Sequence, residues 1–292
     1  MIKIGVVGTA GGWSSETLSD TVQRMTGFRL LVEMKHVRLD LDSGRGFYHD
    51  FDLTTLDALI IKKVGSRYSP DLLDRLEMLR FLNENGLNMF SKPLSILRIL
   101  DRLSCTVSLR SAGIPLPPTT ITENVDEAVK AVADYGEAVL KPLYTSKARG
   151  MKLLTYGPDV KETINAYKAD NSILYIQKKI ELPGKDLGLV FLGGNYVTTY
   201  ARSKNNDSWN TTTRSGGKYE PYTPSDEIIN LAQKAQALFN LDFTCVDIAE
   251  TNQGPFVFEV SAFGGFRGIQ TATGLDASQL LVDYVLKKMV QS

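Results

Sequence analysis

The chain opens with an apolar run, IKIGVV, whose unbroken hydrophobicity fits a strand buried on both faces. SSETLSDTVQRMTG follows with apolar residues at helical spacing, serine at its start and Gly27 past its end, which predicts a helix. RLLVEMKHV and LDALIIKKVG predict further strands. SPDLLDRLEMLRFLNENG predicts a second helix, with Ser69 placed to cap it, Pro70 in its first turn and Gly86 at its stop. Strands alternating with helices over residues 1–93 imply a small parallel α/β domain. After Pro93, LSILRILDRLSCTVSLRSAG reads as one helix ended by the prolines of LPPTT. ENVDEAVKAVADYG is a further helix leading into the strand AVLKP, and YTSKARG makes a basic turn before the next strand. A helix from Pro158, the strand of ILYIQKKIELPG and the hairpin DLGLVFLGGNYVTTYARS, turning at Gly193, Gly194 and Asn195, come next. A polar stretch then precedes the helix SDEIINLAQKAQALFN, and no internal repeat is present.

Residues 245–265 read CVDIAETNQGPFVFEVSAFGG, two apolar runs that each carry one acid. A hairpin symmetric about Gln253 sets Asp247 opposite Glu259. Alternation then puts Val246, Ile248, Phe258 and Val260 on one face and Cys245, Asp247, Val257, Glu259 and Ser261 on the other. Like charges directly opposite on a sheet repel unless a cation, a shared proton or a basic side chain compensates. Mg²⁺ accepts hard oxygen ligands from such a pair. A solvated sheet face, or a register shifted by one, accounts for the same residues.

The 292 residues amount to roughly two domains on a prior of about 150 each, and 43% apolar residues supply a core. Lys plus Arg and Asp plus Glu number 33 each, so there is no basic field of the kind that marks a nucleic-acid binder. Cys105 and Cys245 lie far apart without metal-ligand spacing, which points to a reduced, cytoplasmic setting. The glycine-broken N-terminus suits a strand better than a secretory signal, and no apolar run approaches the ~18 residues of a membrane span.

Several charged residues stand in apolar settings. Lys141 ends AVLKP, where it either contacts a bound anion or snorkels to solvent. Arg102 reads as a phosphate contact or a charge on a wet helix face, and Lys147 and Arg149 as a phosphate-covering loop or a solvated turn. The chain has no GxxxxGK[ST], so any phosphate site is built without a Walker loop. Gln177 and Lys178 end a strand whose backbone could pair with a nucleotide base, and Asp186 could accept from ribose hydroxyls; an ordinary strand end and strand start are the alternatives. His36 and His49 have no motif around them.

Taken in order, Arg102, AVLKP, YTSKARG, YIQKKIE, Asp186, CVDIAE and FEVSAFGGFRGIQTATGLD resemble an ATP-grasp enzyme, in particular the RimK-like amino-acid ligases. The likeness runs from about residue 50 to the C-terminus. GGWSSETL, DRLSCT and LKPLYTSKARGM also resemble an ATP-grasp subgroup of a bacterial cassette called the GAK system. The resemblance implies an ATP-grasp fold, α/β and α+β, with a pre-ATP-grasp parallel α/β domain at 1–93, a central lobe at 94–180 and a C-terminal lobe with the metal site at 181–292. It implies that Lys141 and Arg102 contact ATP phosphates beneath a loop bearing Lys147, Arg149 and Gly150. Adenine would lie on the strand of Gln177, Lys178, Lys179 and Ile180, with Asp186 near ribose. Asp247, Glu259 and Ser261 would hold Mg²⁺, or Mn²⁺ in its place, and Arg202 and Arg214 would handle the acyl phosphate and substrate.

The implied reaction activates a carboxylate as an acyl phosphate and passes it to an amine of an amino acid, peptide or protein tail. Three departures stand out. Ser261 replaces asparagine in the family's ExN ligand pattern, the covering loop keeps only Gly150, and Lys178 replaces an acid beside Gln177. A nucleotide-binding regulatory protein and an ATP-grasp phosphotransferase therefore stay open as alternatives. Trp209 to Thr213 fall where relatives contact the acceptor, Arg267 is a candidate anion contact or an exposed loop arginine, and relatives form dimers or tetramers, so a homo-oligomer is expected.

Overall fold

The computed structural model describes residues 1–145, 148–204, 211 and 216–291. The N-terminal region contains β1 (Ile4–Val7), α1 (Trp13–Thr26), β2 (Leu31–Val32), β3 (Val37–Asp40), β4 (Arg45–Tyr48), β5 (Phe51–Asp52), β6 (Ala58–Ile61), α2 (Asp71–Glu84) and β7 (Met89–Phe90). The order β2-β1-β6-β7, parallel throughout, is the sheet that the strand–helix alternation predicts. A small antiparallel sheet, β3-β4-β5, was not legible, because its strands are only two to four residues long and RLLVEMKHV is split by a single 3₁₀ turn at Met34–His36.

Helices α3 (Pro93–Leu97) and α4 (Arg102–Ser111) occupy the segment read as one helix. Asp101 breaks it: the carboxylate accepts from the Ser104 N–H at 2.9 Å and the Ser104 hydroxyl at 2.6 Å, so it caps a new helix and leaves Arg102 as its first residue. Helix α1, by contrast, follows Gly12, which brings no side-chain cap, and the Ser15 hydroxyl accepts from Thr9 N–H.

The central sheet, in the order β10-β9-β11-β8, comprises β8 (Thr119–Thr122), β9 (Glu137–Leu140), β10 (Lys152–Thr155) and β11 (Leu174–Lys178), backed by α5 (Val125–Tyr135) and α6 (Val160–Lys168). It has an apolar core of its own, including Val132, Leu140, Ile164 and Ile176. The third sheet, β14-β13-β12-β15-β16, is built from β12 (Lys185–Leu192), β13 (Asn195–Ser203), β14 (Lys218–Pro221), β15 (Phe243–Thr251) and β16 (Gly254–Val260). Helices α7 (Asp226–Ala237), α8 (Phe266–Thr273) and α9 (Ala277–Gln291) cover it. Gly268 lets α8 lie flat on this sheet: a Cβ there would stand 2.9 Å from the Tyr219 ring and 3.0 Å from that of Tyr200.

Two larger cores join the N-terminal region to the third sheet. One runs from Val7 and Leu79 through Ile96, Cys105 and Leu109 to Val246 and Val260; the other joins Val6 and Ile60 to Phe243, Phe266 and Val282. The central sheet thus stands against a larger body formed by both ends of the chain. The cleft between them is where the charged residues gather.

Candidate active site

Strand β9 ends at Leu140, and Lys141 N–H still pairs with Tyr175 O at 3.0 Å, which fixes the side chain's direction. Lys141 is 8% exposed and lies 5.4 Å from the Phe258 ring of β16. Its ammonium donates to Gln177 Oε1, while Gln177 Nε2 donates to Thr119 Oγ1 at 3.0 Å and Tyr175 OH at 3.3 Å. The Tyr175 and Thr106 hydroxyls are 2.9 Å apart, extending the network into α4. Among the described residues no carboxylate forms an ion pair with Lys141. Burial pushes its pKa down to about 7, the nearby Arg102 adds to the shift, and Glu259 opposes it. A desolvated ammonium with one neutral partner is poised to take an anion.

Arg102 stands beside Lys141 because α4 begins there. Its N–H donates to Leu143 O at 3.2 Å, its Nε to Pro142 O at 3.3 Å, and its guanidinium lies 6.0 Å over the Tyr175 ring. Tyr68, Arg102, Cys105, Thr106, Phe258 and Glu259 line a cleft of about 390 Å³ that opens to solvent. Arg149 acts electrostatically on Tyr68 at this cleft, and Gly150 turns the loop at φ +68°. Lys147 and Arg214 lie outside the described residues, as do Trp209, Asn210, Thr212 and Thr213.

Asp247 and Glu259 are direct partners across β15 and β16, as the hairpin reading requires. The turn differs from that reading. Thr251 pairs with Gly254 around a two-residue turn, and the register shifts between Asp247 and Ile248, so Ile248 faces Val257. The extra residue, Phe258, relieves the offset as a bulge. Val257 therefore joins Val246, Ile248 and Val260 in the core, and Phe258 turns to the cleft, reversing both of their expected faces. Cys245 lies on the Asp247 side as expected, its thiol 3.8 Å from Asp247 Oδ1, and packs among Val190, Phe243 and Phe266.

Arg202 lies opposite Asp186 in the β12–β13 pairing. Its guanidinium forms a two-pronged bond with Asp186, Nε donating at 3.2 Å, and Nη2 reaches Asp247 at 2.9 Å. Asp186, expected near ribose, is thus engaged by Arg202. Burial raises the Asp247 pKa to about 7, with Asp186 and Glu259 adding and Arg202 opposing. One guanidinium serves two carboxylates here, so its loss leaves both uncompensated. Arg202→Met is expected to destabilise the protein by about 2–3 kcal/mol, below the full buried-pair figure because all three side chains keep some solvent contact. Urea unfolding near pH 8 checks this.

The sequence profile of the RimK-like ATP-grasp domain matches residues 100–285. The chain belongs to the RimK-like ATP-grasp family. The tetrahydromethanopterin:alpha-L-glutamate ligase of Methanosarcina acetivorans is 24% identical, over 98% of this chain and 99% of its own. A probable alpha-L-glutamate ligase of Klebsiella pneumoniae is 28% identical over 82% of this chain and 79% of its own. In fold the chain is similar to the ATP-grasp ligase PsnB bound to a precursor variant, Mg and ADP, with a TM-score of 0.77, 16% identity and 99% of both chains covered. D-alanyl-alanine synthetase A of Vibrio cholerae gives a TM-score of 0.75 at 15% identity, over 99% of this chain and 98% of its own. The protein is accordingly an ATP-dependent ligase of the amide-forming kind.

For a RimK-like ligase, the geometry brings Arg102 and Glu259 to one cleft, with the buried Lys141 near Phe258 of its lining and within electrostatic reach of both, and sets Asp247, Asp186 and Arg202 in one cluster. The strand end for adenine is more divided. Gln177 spends its side chain on Lys141, Lys178 N–H donates to Pro118 O at 2.8 Å, and Lys179 bonds Glu137 and Glu181 at 2.9 Å each. Ile180 is half-buried. The Ser261 backbone is fixed by Cys245 O and Thr244 Oγ1, each at 2.8 Å. Sequence reasoning missed Tyr68, Thr106 and Tyr175, whose roles arise only from contacts across the fold. It also passed over Lys62, although a lysine closing the apolar run ALII was a visible signal.

Proposed function

We propose that this ligase transfers the γ-phosphoryl group of ATP to a substrate carboxylate, and that an amine of an amino acid, peptide or protein tail then displaces phosphate to form the amide. The observation that carries this reading is the Lys141 ammonium, buried and without an ion-paired carboxylate among the described residues, facing the strand that holds Glu259 opposite Asp247. Lys141 and Arg102 neutralise charge on the ATP phosphates, and catalysis of this kind rests on alignment and electrostatics. Arg202 and Arg214 are the proposed contacts for the acyl phosphate.

Two opposed carboxylates that repel when both are ionised fit a divalent cation, with the Ser261 hydroxyl at the third ligand position. Among the described residues no three His, Cys, Asp or Glu side chains converge, so an ion there would need water or phosphate oxygens to complete its shell. Mg²⁺ held there would supply charge neutralisation at the phosphates. The named glutamate ligases among the relatives support an acidic amino acid as the amine substrate; Arg267, the candidate anion contact, is exposed and lies 4.9 Å over the Trp13 ring. No helix among the described residues is long and apolar enough to cross a membrane.

Hydroxylamine trapping tests the reaction. Incubation with ATP, Mg²⁺ and a panel of carboxylates is expected to give a hydroxamate, and L-glutamate in place of hydroxylamine an amide seen by mass spectrometry. ADP formed with a phosphorylated product but neither hydroxamate nor amide would sink the ligase step in favour of a phosphotransferase.

A further inference from the structure

Lys62 follows β6 at the carboxyl end of the parallel sheet, beside β1, where the strand order reverses. Its backbone is anchored there, N–H donating to Val7 O at 2.9 Å. The side chain is 3% exposed and crosses to the other end of the chain. Its ammonium donates to Gly264 O, lies 3.9 Å from the Phe266 ring centroid and stands 5.6 Å from that of Phe243. The turn from Ser261 to Gly265 joins β16 to α8. Its first residue is held by β15 through Cys245 O and Thr244 Oγ1. Its far end runs so close to Phe243 that a Cβ on Gly264 would stand 2.7 Å from that ring.

We infer that Lys62 is a positioning residue, whose side-chain amine pins the β16–α8 turn to the N-terminal sheet and so sets where α8 begins relative to Glu259. The inference rests on reading β16 as the metal-binding strand and α8 as the flank of the amine site. A carbonyl oxygen and an aromatic face both attract an ammonium; a neutral amine keeps only a weak hydrogen bond and loses the cation–π attraction. Both contacts are stronger with the charged amine, but burial costs the charge more than they return. Burial draws the Lys62 pKa down to about 7, Lys63 adds to the shift and Cys245 opposes it. Around it, Cys245 comes from β15, Lys63 from its own strand end, and Asp242 shares the adjoining cavity with Lys62 while accepting from Tyr284 OH of α9 at 2.7 Å. Lys62 in an opened, solvated turn would titrate near the ordinary lysine value, so protonation favours opening and the closed turn gains stability as pH rises from about 7 towards that value.

Amide hydrogen exchange on the full chain tests this, reading residues 262–268 at about pH 6 and about pH 9 after correction for intrinsic rates. Wild type is expected to gain about tenfold protection there at the higher pH, whereas Lys62→Met, with no group to titrate, and Lys62→Arg, charged at both, show no such gain. Protection over 120–178 serves as the folding control. Flat protection in wild type, or a Lys62→Met profile that follows wild type, overturns the inference, as does a Lys62 side chain found by NMR to titrate at the ordinary lysine value. These readouts need no turnover, so failure to find amide formation leaves them intact, and failure of the pin leaves the ligase reading intact.

Discussion

Lys141→Met is expected to lower ATP-dependent turnover by about 10²–10³-fold, the scale on which one preorganised charge acts on a transferring group. The substitution keeps the stem that packs near Phe258 and removes only the cation, so loss of fold is not the expected cause. Wild type should also take up protons on binding ATP. With its pKa drawn down to about 7, Lys141 is partly neutral in the free protein at about pH 7.5, and an arriving polyanion favours its charged form. Calorimetry in buffers of different ionisation enthalpy reads that uptake. It should vanish in Lys141→Met and shrink below about pH 6, where the lysine is already charged. Uptake unchanged in the variant would assign the proton to another group and remove Lys141 from the phosphate site.

Asp247→Asn and Glu259→Gln are each expected to weaken the Mg²⁺ dependence of ATP binding by about a hundredfold or more, because each removes a hard oxygen donor from the paired positions. Titrating ATP with and without Mg²⁺ measures this. Binding in both variants as tight and as metal-dependent as in wild type would place the metal elsewhere. The apo proteins carry a second signature. The Asp247 pKa is raised from 3.8 to about 7, so between those values the folded chain holds a proton that the unfolded chain has lost, and stability falls as pH rises through that window. Asp247→Asn should therefore raise the thermal midpoint of the metal-free protein near pH 8 and leave it nearly unchanged near pH 4, where wild type is already protonated. A variant that is more stable yet unable to use metal fits a carboxylate retained for function at the expense of stability.

The alternation of apolar and polar residues was enough to place β1, α1, β6, α2 and the β12–β13 hairpin, since each is a run whose period matches its secondary structure. The elements it left out are short, as with β3 to β5, or have their identity decided by what they pack against. Helix α8 is one of these: GGFRGIQTAT carries two glycines in its approach and one within, yet it forms because Tyr200 and Tyr219 leave room for Gly268 alone. The hairpin acids were legible because strand pairing is nearly a local matter, whereas the bulge at Phe258 was not, since nothing in the residues of a turn dictates where an offset is absorbed.

What the sequence determined by itself was the longer periodic elements and the kinds of charge that sit at their ends: Lys141 closing a strand, Arg102 in the helical segment, Asp247 opposite Glu259. Those follow from backbone period and short-range pairing. The tertiary structure decided which charges meet. It spends Gln177 on Lys141, ties Asp186 and Asp247 to one arginine, and brings Lys62 to Gly264, 202 residues away in sequence. Burial then sets their protonation, because the cost of a charge depends on what surrounds it in space, and that is fixed only when both ends of the chain have closed around a shared core.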